Sequence, residues 1–69
     1  MTYTELTESL TTDSYAIQTA KGIDTLLKHQ SYKAAEGQVS VLSYRLDRVV
    51  SDKEKLLNAK IQFMFQSLI

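Results

Sequence analysis

The side chains able to do chemistry are few and scattered. His29 is the only imidazole, and there is no Cys. Nucleophilic catalysis needs a hydroxyl or thiol beside a base, so a Ser or Thr would have to reach His29. That residue falls in Lys28-His29-Gln30-Ser31-Tyr32, which reads as a turn between helices. A solvated or capping His is the ordinary occupant of such a place. Glu5 and Glu8 can share a helix face, whereas Asp52 and Glu54, two apart, cannot. Both pairs have a simpler role as acids that complement the dipole at a helix start. With Gly22 and Gly37 as the only glycines there is no phosphate-binding loop, and no H-x-x-x-H spacing for a metal. The sequence therefore predicts a non-enzymatic protein with no cofactor and no metal.

Charge bears on two further classes. Eight basic and eight acidic side chains cancel. Glu5, Glu8 and Asp13 make the first 20 residues purely acidic, and all basic residues lie between Lys21 and Lys60. Arg45, Arg48, Asp52 and Lys55 could face a nucleic-acid groove in a helix-turn-helix arrangement. Asp47, Asp52 and Glu54 are interleaved with them, and acid–base interleaving is the mark of a solvated helix face. A zero net charge also leaves a weak footprint for phosphates. A membrane role would rest on Phe63, Met64, Phe65, Leu68 and Ile69, but Asn58, Gln62 and Gln66 stand where interfacial helices place Lys and Arg. Nucleic acid and membrane are both disfavoured as partners. The N-terminal MTYTELTESL has neither the basic start nor the apolar run of a signal peptide, so the expected location is cytoplasmic.

What remains is helix-in-groove recognition, written in the last third of the chain, SDKEKLLNAKIQFMFQSLI. At 100° per residue Leu57, Ile61, Met64, Phe65 and Leu68 gather in one sector roughly 100° wide, the width of a core-facing stripe. Leu56 and Phe63 lie outside it, and Val49 and Leu42 extend their line backwards in steps of seven. Two apolar stripes exceed what one small core normally takes, unless the N-terminal segments cover both. The expected protein-binding residues are Leu42, Val49, Leu56, Phe63, Met64, Phe65 and Leu68. Aromatic residues and Met are enriched at interface centres, which adds to this reading.

The elements that must carry these stripes can be read in order. Thr2 and Glu5 have capping-box spacing, with Tyr3, Leu6 and Leu10 apolar after it. Residues 1–12 thus read either as a short helix or as a flexible arm. Thr12 and Asp13 can cap a helix over residues 14–29. Gly22 inside that helix suggests a close helix crossing, an idea favoured by nearby Ala16 and Ala20, or else a soft point. A turn at residues 28–32 is preferred to one at Gly37, with Ser31 able to cap the next helix. From Tyr32, the positions Ala35, Val39, Leu42, Leu46 and Val49 step by 4, 3, 4 and 3 as a short heptad-like seam. Ser51-Asp52-Lys53-Glu54 matches a second capping box, so a third helix could start there. No strong breaker lies in residues 48–54, which tilts the reading towards one long or kinked helix.

The expectation is an all-α single domain over residues 1–69: a helical hairpin with a long C-terminal arm, or a small three-helix bundle. A chain of 69 residues is marginal on its own. Without disulfides, association is the natural remedy. The predicted function is a helical protein–protein interaction module, a small chaperone-like adaptor or assembly partner acting through its apolar C-terminal helix. Its partner is another helical protein or copies of itself. The alternatives are a self-assembling structural subunit of the secretion-system or phage type, and then a small helix-turn-helix nucleic-acid-binding regulator.

Overall fold

In the computed structural model, which describes residues 2–48 and 51–68, the chain forms four helices: α1 (Tyr3–Leu10), α2 (Ser14–Lys28), α3 (Tyr32–Asp47) and α4 (Asp52–Gln66). Each helix packs against its two neighbours in the ring α1–α2–α3–α4, and α4 closes the ring on α1. Successive helices run antiparallel. The start of α1 bonds to Asp24 late in α2, and Asp13 at the start of α2 bonds to Arg45 late in α3. Ser43, late in α3, bonds to Asn58 early in α4. The result is a small up-and-down bundle, 32 × 20 × 20 Å.

The first two helix starts follow from local side-chain chemistry. Thr2 and Glu5 form the expected reciprocal box: Glu5 N–H donates to Thr2 Oγ1 and Thr2 N–H donates to Glu5 Oε1, both at 3.0 Å. The Glu5 carboxyl is held below its ordinary range chiefly by the hydrogen bond from the Thr2 backbone. Residues 3–10 form a helix, the first of the two expected alternatives, with Tyr3, Leu6 and Thr7 buried. Asp13 caps α2 by accepting from Tyr15 N–H at 3.0 Å. At the other end of α2, Gln30 N–H donates to Leu27 O and Ser31 N–H to Leu26 O, while Gln30 takes φ 60°. That is a Schellman ending with Gln in the left-handed position usually given to Gly.

The two serines expected as caps hold their positions without making the bond. Ser31 and Ser51 are the N-cap residues of α3 and α4, and neither side chain donates or accepts in a cap. Asp52 and Glu54 still place negative charge in the first turn of α4. Ser51 is extended (φ −70°, ψ 130°), so the reading of one continuous helix from residue 32 to the end does not hold. The reason is coverage. A straight helix would carry Phe65 about 28 Å beyond Leu46, at 1.5 Å per residue, past the reach of α1 and α2. The antiparallel return of α4 brings Phe65 beside Tyr32 at the start of α3.

The core follows the predicted stripes. Ala35, Val39, Leu42 and Leu46 of α3 are buried, as are Leu57, Ile61 and Phe65 of α4. Tyr3 and Leu6 of α1 join Ala16, Ala20 and Ile23 of α2. Ala16 and Ala20 are fully buried and allow close helix contact. Gly22 does not mark a crossing. A Cβ there, or at Gly37, would meet nothing within 4 Å.

Gly22→Ala and Gly37→Ala should each stabilise the fold by up to about 1 kcal/mol, since only the helix penalty of Gly is removed. Thermal melts should rise by several degrees; a fall at Gly22 would revive the close crossing. Leu46→Asp should abolish cooperative melting, because it puts a carboxylate in the core and removes the packing of a buried Leu, together worth several kcal/mol. Circular dichroism of that variant with full helix content and an unshifted melt would refute this core.

Candidate functional site: the uncovered face of α4 and its groove with α1

The expected binding residues divide sharply. Leu42 is fully buried and Phe65 nearly so; both belong to the core and leave the binding surface. The seven-residue line from Leu42 to Phe63 breaks because α3 and α4 are separate antiparallel helices and share no common face. Val49, like Val50 and Ile69, lies outside the described residues. Phe63 is 72% exposed, Leu68 53% and Leu56 49%. Met64 is partly buried against the core. The surviving set is therefore Leu56 and Phe63 on the outer side of α4, Met64 beside Phe63 against the core, and Leu68 just past the helix end.

Beside this crest runs a shallow apolar groove between α1 and α4. One section, about 380 Å³, is lined by Leu6, Ser9 and Leu10 of α1 and by Ala59, Lys60, Phe63 and Met64 of α4. A second of similar volume continues past Tyr3, Asp24 and Leu27 towards Leu68. Phe63 and Met64 line both sections. Sequence periodicity found the α4 wall. It could not find the α1 wall, because Leu6 and Leu10 are brought to α4 only by the ring closure of the bundle.

The α1 wall is fastened at one point. Asp24 Oδ1 accepts from Tyr3 N–H at 2.9 Å, and Oδ2 accepts from Thr4 N–H at 2.8 Å and from Thr4 Oγ1 at 2.6 Å. A carboxylate from α2 thus caps the free donors of the first turn of α1, where negative charge is favoured. No local spacing signals this, since Asp24 is remote in the chain. The rest of α1 is less well satisfied: Tyr3 Oη and Thr7 Oγ1 are buried without a hydrogen-bond partner among the described residues. Burial, and secondarily the charge of Asp24, raise the Tyr3 phenol above its ordinary value.

On the other flank of α4, Ser43 Oγ donates to Asn58 Oδ1 and Gln62 Nε2 donates to Ser43 Oγ, each at 2.7 Å. The polar residues that stood for a weak membrane face are thereby partly spent on holding α4 to α3. Two of the basic residues weighed for nucleic acid, Arg45 and Arg48, are also engaged. Arg45 grips Asp13 with Nε at 2.7 Å and Nη2 at 3.2 Å, and lies 4.4 Å from the Tyr15 ring centroid. The Asp13 carboxyl is held below its ordinary range, first by the Arg45 hydrogen bond. Arg48 Nη1 donates to Tyr44 Oη at 3.0 Å. His29 is an exposed cap residue at the end of α2, as its place in the turn predicts.

The fold and this surface define a class: a small four-helix bundle with one apolar helix face uncovered. No helix among the described residues is long and apolar enough to cross a membrane. No protein-family model matches the chain, and no curated protein or solved structure is significantly similar to it.

Asp24→Ala should loosen α1 selectively. Removing a charged acceptor of three hydrogen bonds costs on the order of 2–3 kcal/mol. Amide exchange should accelerate over Tyr3–Leu10 far more than over α3. Equal acceleration throughout would show that Asp24 supports the whole bundle and not the groove wall.

Proposed function

We propose that the protein is a non-enzymatic helix-binding module, an assembly partner or small chaperone-like adaptor that receives an amphipathic helix along the outer face of α4. The observation that carries this reading is the exposure of Phe63, in the last turn of a helix whose opposite side is core. Large apolar residues exposed in a cluster mark binding surfaces, and the neighbouring groove offers Leu6, Leu10 and Met64 to a partner's side chains. Such recognition works through apolar anchors spaced along a helix. Leu56 and Phe63, two turns apart on one line, have that spacing.

The same surface suits a self-assembling subunit, in which copies of the chain cover one another. A nucleic-acid role is supported less, because the Arg45 guanidinium is already neutralised by Asp13. A chain without Cys suits a reducing compartment, and the cytoplasm is the location that accompanies this proposal.

Phe63→Asp tests the reading. An exposed substitution should leave stability within about 0.5 kcal/mol, so helix content and melting temperature should stay near those of the parent. Association should be lost, read as molar mass by light scattering over a hundredfold concentration range and, for other partners, as co-purification from the source cell. If the variant instead melts early or unfolds as a monomer, Phe63 belongs to the core and the binding surface does not exist.

A further inference from the structure

Tyr3 Oη and Thr7 Oγ1 are buried without a hydrogen-bond partner among the described residues. A hydroxyl in that state has given up water and replaced it with nothing. One helix of eight residues carries both. Opening of α1 would rehydrate the two together.

The fastening of α1 is uneven. Three hydrogen bonds to Asp24 hold its first turn. The Thr2–Glu5 box and the bond from Ser9 Oγ to Leu6 O lie within the segment and tie it to nothing else. A helix this short is marginal alone in water, and Thr4, Thr7 and Ser9 are weak formers inside it. Just past α1 the chain is anchored again, because Asp13 caps α2 and is gripped by Arg45. Between the two, Thr11 is extended (φ −144°, ψ 154°), as is Asp13 (φ −68°, ψ 109°). Among the described residues α2 and α4 do not pack directly on each other; α1 touches both, and so does α3. With α1 withdrawn, α2 and α4 are still joined through α3.

We infer that α1 is a releasable strap: it opens as a unit about residues 11–13 while α2, α3 and α4 stay folded, and its two unpaired hydroxyls favour the open form. Opening breaks the Asp24 bonds, exposes Tyr3 and Leu6, and lays bare the core between α2 and α4. The groove along Phe63 and Met64 is the rim of that opening. Burial and the Asp24 bonds make the closed form predominate, and the open form is a minor native state. The strap is independent of whether the outer face of α4 binds a partner.

Hydrogen exchange of the full chain, read amide by amide and corrected for intrinsic rates, tests this. Leu6 to Thr11 should share one opening constant, larger than that of Leu42 and Leu46 by roughly tenfold or more. Two variants that leave the fold no less stable separate α1 from the rest. Gly37→Ala, in α3, removes only a helix penalty; it should slow Leu42 and Leu46 by roughly fivefold and leave Leu6 to Thr11 unchanged. The double variant Tyr3→Phe with Thr7→Val replaces each hydroxyl by an apolar group of like shape and should slow Leu6 to Thr11 by roughly tenfold. Circular dichroism checks the helix content of both. Equal slowing of α1 and α3 by Gly37→Ala would show a single cooperative unit and overturn the strap. A gradient of exchange along α1, the mark of end fraying, would overturn it as well, and so would α1 exchange unmoved by the double variant.

Discussion

The bundle depends on α4 returning antiparallel to α3. A protein of this size has little apolar surface to bury, and each stripe left uncovered is a large fraction of its stability. α2 and α3 pack against each other. Leu57, Ile61 and Phe65 of α4 and Tyr3 and Leu6 of α1 complete the core that this pair begins. Because α4 returns antiparallel, its last turns come back to the start of α3. The same reversal decides which side of α4 faces water.

Polar side chains then fix how the helices sit on one another. Each helix of the ring is tied to a neighbour by a side-chain contact remote in sequence: Asp24 to the start of α1, Asp13 to Arg45, and Ser43 to Asn58 and Gln62. Apolar burial is non-directional and supplies most of the driving force. Directional contacts cannot match it in energy, but they select one register among several that bury similar area. The closure between α1 and α4 has no such polar tie among the side-chain hydrogen bonds of the described residues. It is made by apolar contact, and it is where the groove lies.

That distribution connects packing to the proposed role. The flank of α4 towards α3 is held by hydrogen bonds, its inner side is core, and its flank towards α1 is a groove. The crest carrying Leu56, Ala59 and Phe63 is exposed, and Ala59 and Phe63 also form the rim of that groove. A cluster of exposed apolar side chains on a helix that already has a core line is a mark of binding surfaces, which is what supports the proposed role. The acidic head formed by Glu5 and Glu8 and the basic residues of α4 lie on neighbouring elements, so the surface around the crest is charged and mixed although the crest is apolar.

The sequence by itself determined the helical class, the Thr2–Glu5 box, the Asp13 cap, the turn at residues 28–32 and the core positions Ala35, Val39 and Leu46 on α3 and Leu57 and Ile61 on α4. These rest on periodicity and on caps, which are local properties of neighbouring residues. It also singled out Phe63 and Leu56 as surplus, since a helical wheel needs no partner to show two stripes. Only the tertiary structure decided that α3 and α4 are separate helices, because the tetrapeptide Arg48–Ser51 holds no Gly or Pro and the advantage of folding back comes from burial elsewhere. Only the tertiary structure sent Leu42 and Phe65 to the core and left Leu68 outside, because burial depends on which helices arrive at a face. The Asp24 clamp and the α1 wall of the groove were hidden for the same reason. Periodicity specifies which side of a helix is apolar; only the packed bundle specifies which apolar sides are already covered.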